Sequence, residues 1–225
     1  MPSSEELQKE LQDSLKPINW NIVGIQCSDG KLIPMPPESR IVTVILQAVV
    51  SPYIISWAKR REINVEDLVE ETRGYPDFAL SGESLGDKLI ALDVKSARYS
   101  SGDSVSRMTL GTYDGYFLHP HEKKLSGGRR CYDDYDEHWV IAFIYKWNPK
   151  LTPSNMVKIV ARIVAHKWQL ASKTSGSGDT ANIGGLGSLS ALQSRASGFH
   201  NEGEFERYWR QYAIDHPRKR TRAPE

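Results

Sequence analysis

Asp77, Asp93 and Lys95 are the residues whose types and spacing could do chemistry. They sit in Tyr75-Pro76-Asp77-Phe78-Ala79-Leu80, a segment rich in turn formers over 81–87, and Lys88-Leu89-Ile90-Ala91-Leu92-Asp93-Val94-Lys95. Both flanks read as β-strands joined by a polar turn. Alternate side chains of a strand point to opposite faces, so Ile90, Leu92 and Val94 share one face and Ala91, Asp93 and Lys95 the other. A carboxylate and an ammonium on an apolar strand are costly to bury. Two residues along a strand span roughly 6.5 Å, so both groups can reach one metal-bound water. If the hairpin brings Asp77 alongside, two carboxylates and a lysine converge, an arrangement suited to a divalent cation and a phosphate ester. The same residues also fit a buried Asp–Lys ion pair.

Asp-x-Lys alone discriminates poorly, since roughly one is expected by chance in a chain of this size. Asp29-Gly30-Lys31 has the pattern on a hairpin turn, and Glu122-Lys123-Lys124 has a similar one in a polar loop, where charges are simply solvated. Asp93-Val94-Lys95 differs by its apolar strand and by the Pro-Asp upstream.

A second unusual stretch, 172–190, mixes glycine and serine with Asp179, Thr180 and Asn182. It lacks the Gly-Lys-Ser/Thr ending of a phosphate-binding loop. Small residues suit a loop whose backbone approaches a partner closely, such as base edges in a DNA groove; a flexible linker has the same composition. The histidines lack zinc-like spacing, and Cys27 and Cys131 suggest neither a disulfide framework nor a zinc cage. Phe205, Tyr208, Trp209 and Tyr212 recur at helical spacing and read as core. Residues 218–222 are basic, a solvated end or a phosphate contact.

The elements that must position these residues are legible in outline. Ser3 and Glu6 make a capping box for a first helix to about Leu15. Residues 21–35 read as a hairpin with Asp-Gly at its tip. An apolar helix follows from about Glu38, with an interruption expected at Pro52, and its polar residues argue against a membrane span. Residues 108–113 read as a strand, 119–137 as a surface excursion and 138–147 as a central buried strand. For 156–165 strand and helix both fit. With 39% apolar and 25% charged residues and a net charge of +1, the composition is that of a soluble chain with one good core. No signal peptide is evident. A cytoplasmic setting and no membrane partner are expected.

Taken together the motifs resemble the PD-(D/E)xK nuclease superfamily, and within it the type II restriction endonucleases of the EcoRV type. The matching stretches are 75–80, 90–95, 109–113, 138–141, 176–184 and 204–212, in the family's order. The catalytic motif is common to the superfamily; the glycine-bearing stretch is more specific. The resemblance implies an α/β fold, a restriction-endonuclease-like core with a mixed central β-sheet flanked by helices and a small N-terminal dimerisation hairpin. It implies one domain over 1–225, with the hairpin at about 21–35, the catalytic core at 38–171, a DNA-recognition loop at 172–190 and a basic tail at 218–225. It further implies a homodimer that cuts double-stranded DNA at a short palindrome with Mg²⁺, for which Mn²⁺ substitutes. The cut would leave a 5′-phosphate and a 3′-hydroxyl at blunt ends.

On this resemblance Asp77 and Asp93 hold the metal, with the carbonyl of Val94 as a further oxygen, and Lys95 orients the attacking water and offsets charge on phosphorus. Gly176, Ser177, Gly178, Asp179, Thr180 and Asn182 belong to the major-groove reader. Thr72 and Arg73 lie at the minor groove, and Arg40 and Ser96 lie near the DNA backbone. Three departures stand out. Gln47 replaces a glutamate metal ligand, so its amide oxygen can coordinate but brings no charge. Thr72 and Arg73 replace amides. Asp179 replaces an asparagine, and an ionised aspartate only accepts hydrogen bonds, which suits the amino group of cytosine rather than the adenine edge. A structure-selective repair or recombination nuclease, or a DNA-binding module with a degenerate core, are the competing readings.

Overall fold

In a computed structural model of the chain, the residues described are 2–68, 74–122, 130–176 and 181–217. A five-stranded mixed sheet organises them, in the order β3 (Asn64–Asp67), β4 (Phe78–Ser81), β5 (Ile90–Arg98), β7 (Glu137–Trp147) and β8 (Val157–His166). β5 and β7 run parallel; the other neighbours are antiparallel. The segment 156–165, open between helix and strand, is thus the edge strand β8.

The sheet is covered on both faces, which explains the near-continuous apolar run of β7. On one face lie helices α1 (Ser4–Ser14) and α2 (Arg40–Arg60), packed over Ile90, Leu92 and Val94. On the other, α3 (Tyr113–Phe117) and α5 (Glu202–Asp215) pack over Ala91, Val140 and Ala142. α5 buries Phe205 and Trp209 in this second core, as their helical spacing predicts. α1 begins with the expected capping box: the Ser3 hydroxyl accepts from the Glu6 amide, and the Ser3 amide donates to the Glu6 carboxylate. The N-terminal hairpin pairs β1 (Gly24–Gln26) with β2 (Leu32–Pro34), with Gly30 at φ +84° in the turn.

Three expectations are corrected. α2 runs unbroken through Pro52. The missing backbone bond costs about 3 kcal/mol, but the stripe Val42, Leu46, Val50, Ile54 and Trp57 is buried on the sheet, and each such side chain contributes about 1.5–3 kcal/mol. Among the described residues α2 is also the one helix long and apolar enough to cross a membrane; here that stripe lies against the sheet. The stretch 119–137 is more than a surface excursion, because Tyr132 and Tyr135 are buried in the second core; 123–129 lie outside the described residues. The stretch 172–190 is strand at both ends of its first half: β9 (Ala171–Ser175) pairs with β10 (Asn182–Gly185), which pairs with β6 (Thr109–Thr112), and 177–180 lie outside the described residues. Gly184 and Gly185 serve close packing, since a Cβ on Gly184 would lie 2.5 Å from the Thr174 carbonyl oxygen and one on Gly185 2.7 Å from the Met108 side chain.

Glu137, the first residue of β7, ties α1 to this frame. Its carboxylate accepts from Ser4 Oγ at 2.9 Å, Lys88 Nζ at 2.6 Å and Trp139 Nε1 at 2.8 Å. Burial pushes its pKa up, but these donors outweigh burial and leave it below its ordinary 4.5. The stabilisation is therefore complete above pH 4.5 and lost as pH falls through the depressed value. Glu137→Ala is expected to cost about 2–3 kcal/mol at pH 7, leaving the indole N–H unpaired. In denaturant titrations that deficit should shrink below pH 4.5; a deficit constant with pH would contradict the role assigned to the charge.

Candidate active site

The antiparallel register of β4 and β5 pairs Phe78 with Leu92, Ala79 with Ala91 and Leu80 with Ile90. Extended by one residue, it sets Asp77 opposite Asp93. The register brings the two carboxyl groups close enough for the charge of Asp93 to act on Asp77. Asp93 is 3% exposed, and its Oδ2 lies 2.6 Å from Lys95 Nζ in an ion pair. That contact lacks hydrogen-bond alignment, so this oxygen makes no directed hydrogen bond. Lys95 keeps a quarter of its side chain exposed. Asp77 is held from two sides: the Val94 amide donates to Oδ2 at 2.6 Å and Gln47 Nε2 donates to Oδ1 at 3.1 Å. The buried ion pair and the converging carboxylates of the sequence reading are thus both present.

These contacts set the charges. Burial, then the charge of Asp93, pushes Asp77 from 3.8 up to about 7, against the opposing pull of Lys95 and the Val94 amide. For Lys95 burial works downward, but Asp93 and then Asp77 more than offset it and raise its pKa above 10.5. Lys95 is therefore an ammonium at neutral pH, a proton donor rather than a base.

Helix α2 supplies a wall that sequence reading recognised only at Gln47. Thr43, Gln47 and Ser51 fall on one face at i, i+4 and i+8. Each reaches a strand next to the carboxylates: Thr43 Oγ1 lies 2.6 Å from Ser96 Oγ, and Ser51 Oγ donates to Asp67 Oδ2 at 2.6 Å. Polar residues four apart in an otherwise apolar helix were the signal that could have found Thr43 and Ser51. Arg40 starts this helix; its side chain lies outside the described residues.

A second group escaped sequence reading altogether. Lys167, first residue of α4 (Lys167–Leu170), is fully buried and donates from Nζ to Tyr75 Oη at 2.6 Å. Tyr75 Oη lies 2.6 Å from Nδ1 of the buried His138. Burial pushes Lys167 down to about 7 and holds His138 well below 6.5.

Of the expected DNA-contacting residues, Gly176 and Asn182 close the β9–β10 pair, with the Gly176 amide donating to the Asn182 carbonyl at 2.7 Å. Asn182 also sits opposite Thr112 of β6. Ser177, Gly178, Asp179, Thr180, Thr72 and Arg73 lie outside the described residues. β9 and β10 belong to a different sheet from β4 and β5, so Gly176 and Asn182 stand on other elements than Asp77 and Asp93.

The donor set fits a hard divalent cation, which prefers carboxylate and carbonyl oxygens. Asp77 and Asp93 offer two carboxyl groups, one with an oxygen that makes no directed hydrogen bond, and Gln47 offers an amide. Among the described residues no three acidic, histidine or cysteine side chains gather as a metal cage.

The family model for the restriction endonuclease EcoRV matches residues 16–224. The chain belongs to the EcoRV family of restriction endonucleases. It is 27% identical over 210 residues to the type II restriction enzyme EcoRV of Escherichia coli, an alignment covering 86% of this chain and 82% of that one. Its fold is similar to that of the NlaIV restriction endonuclease, with a TM-score of 0.55 and 15% identity over 96% of this chain and 81% of the other. It is a type II restriction endonuclease, a nuclease of DNA.

In this EcoRV-family enzyme the raised pKa of Asp77 means that the fold opposes its ionisation. A carboxyl whose folded pKa exceeds its unfolded value favours folding at low pH and loses that advantage as pH rises from 3.8 to about 7. Asp77→Asn in metal-free buffer is thus expected to stabilise the protein at pH 8 by about 2 kcal/mol, roughly 4–8 °C in melting temperature. The gain should vanish toward pH 4 in calorimetric scans; destabilisation at pH 8 would contradict the electrostatics.

Proposed function

We propose that this type II restriction endonuclease hydrolyses both strands of double-stranded DNA at a short palindrome with Mg²⁺, Asp77, Asp93 and Lys95 forming its catalytic centre. The observation that carries this reading is the meeting of two carboxyl groups and one ammonium at the β4–β5 register. Asp77 and Asp93 would hold the ion, with the Val94 carbonyl and the Gln47 amide oxygen as further donors. The chemistry Mg²⁺ supplies when bound is charge stabilisation at phosphorus and acidification of water. Mn²⁺ substitutes on the same oxygen donors.

The residues of the chain do the rest. Lys95 keeps its proton at Nζ and donates toward the attacking water or a non-bridging phosphate oxygen, offsetting charge as it develops. Water attacks phosphorus and the 3′ oxygen leaves, giving a 5′-phosphate and a 3′-hydroxyl, at blunt ends. Ser96 and Arg40 face the DNA backbone. Gly176, Ser177, Gly178, Asp179, Thr180 and Asn182 read the major groove, and Thr72 and Arg73 the minor groove. The whole chain acts as one unit, with a catalytic core over 38–171, a reading segment over 172–190 and a basic tail over 218–225. The enzyme is soluble and cytoplasmic, and it is a homodimer, since a palindrome mirrors two-fold symmetry. The N-terminal hairpin supports this, because Val23, Ile25, Leu32 and Ile33 are each about half exposed and a solvent-facing apolar ribbon fits a self-interface.

Digestion of genomic DNA with Mg²⁺ followed by sequencing of the ends tests the reading. One recurrent palindrome, cut blunt, is the expected result; breaks confined to branched or damaged DNA would point to a structure-selective nuclease. At the second base pair a site accepting cytosine contact is expected from Asp179, and the same site as the E. coli enzyme would refute that part. Asp93→Ala should lower cutting by on the order of a thousandfold or more while leaving specific binding in a gel-shift assay. Undiminished cutting by Asp93→Ala would remove the site assignment.

A further inference from the structure

Lysine is almost never fully buried, because an ammonium in an apolar interior is costly unless held by partners. Lys167 is buried completely, and among the described residues it meets a hydroxyl and aromatic faces. Its Nζ lies 3.9, 4.6 and 5.2 Å from the ring centroids of Tyr75, Tyr116 and Tyr132, within cation–π range. Tyr132 in turn stacks on His138 at 3.9 Å with an interplanar angle of 8°. Packing the second core does not require a lysine here; a methionine would fill similar space.

The hydrogen bonds have a direction. Lys167 Nζ donates to Tyr75 Oη, which leaves the Tyr75 proton for His138 Nδ1, the acceptor in the Nε2–H tautomer. Burial keeps His138 neutral, as an acceptor must be. Tyr75 is therefore fixed at its hydroxyl end by two buried side chains from β7 and α4. Two residues later comes Asp77, whose carboxylate is fixed by Gln47 from α2 and by the Val94 amide from β5. The segment 75–77 is thus held at both ends, at Tyr75 by Lys167 and His138 and at Asp77 by Gln47 and the Val94 amide.

We propose that Lys167 is a positioning residue for the catalytic centre, holding Tyr75 and through it the Asp77 carboxylate against Asp93. This rests on Asp77 being a metal ligand. Lys167 does not touch the reacting atoms; it limits how far the 75–77 segment can shift, and metal ligands depend on such supports.

Lys167→Met, Tyr75→Phe and the double variant, each as the full chain, test the proposal, with a plasmid carrying the cleavage site found by end sequencing as substrate. Mn²⁺ affinity is read separately from the spin-resonance signal of free Mn²⁺. Each single variant should lose about 10- to 100-fold in kcat and in Mn²⁺ affinity, with KM for DNA held within about twofold. The double variant should be no worse than the poorer single one, because both changes cut the same connection. Additive losses, kcat and Mn²⁺ affinity like the parent, or a parallel loss of DNA affinity would each overturn it. If Lys167→Met fails to fold, Tyr75→Phe, which removes one oxygen, carries the same test alone. Asp77→Ala measured alongside separates the two claims. A normally active Asp77→Ala defeats the catalytic reading, whereas an inactive one beside parent-like Lys167→Met and Tyr75→Phe defeats only the positioning role.

Discussion

The site depends on one pairing: the β4–β5 register that sets Asp77 opposite Asp93. Two carboxylates held this close in a largely buried place repel each other and lose hydration together. Asp77 bears the consequence, with its pKa raised to about 7, while Lys95 supplies a single compensating charge. Two carboxylates and one ammonium leave one negative charge when all are ionised. That residue of charge is what a divalent cation would find attractive, and burial together with the charge of Asp93 is why the fold resists ionising Asp77. Binding capacity and local instability here have the same origin.

A strained pair can persist only if the surrounding frame is stiffer than the repulsion. β5 meets that need by burying opposite faces in two different cores. Ile90, Leu92 and Val94 pack under α1 and α2, and Ala91 and Ala97 pack in the core that holds Tyr75 and Tyr116. The small Ala91 side chain leaves room on that face for the tyrosine cluster. Parallel pairing with β7 over nine residues fixes the strand along its whole length, and Glu137 locks the start of β7 to α1. Asp93 and Lys95 thus sit on a strand packed between two cores, whereas Asp77 lies just before β4 and needs supports of its own.

What was legible in the sequence follows from whether the deciding contacts are local. The alternation of β5 separated its two faces correctly because a strand's period holds whatever surrounds it. The capping box at Ser3 and the hairpin turn at Gly30 were legible because their partners lie three residues away or fewer. Pro52 misled because propensity is local, while the burial that outweighs it comes from the sheet. The glycines of 172–190 misled for a related reason: composition reads them as slack, but Gly184 lies where a neighbouring backbone leaves no room for a side chain. Lys167 could not be read at all. Its partners come from residues 75, 116 and 132, and nothing near it in sequence marks it as buried.

Gln47 shows how the pair is reconciled with folding. Its amide nitrogen donates to Asp77 Oδ1 at 3.1 Å, so in this arrangement it stabilises a carboxylate rather than offering its own oxygen. A glutamate there would bring a third negative charge to a place already short of positive charge, and would push the Asp77 pKa higher still. To serve as a ligand the Gln47 amide must turn its carbonyl inward, giving up the bond to Asp77 as it does so. That bond is dispensable once a cation relieves the same carboxylate. Under the proposed reading the amide would support Asp77 before a cation binds and offer its oxygen afterwards, without the extra attraction a charged side chain would exert.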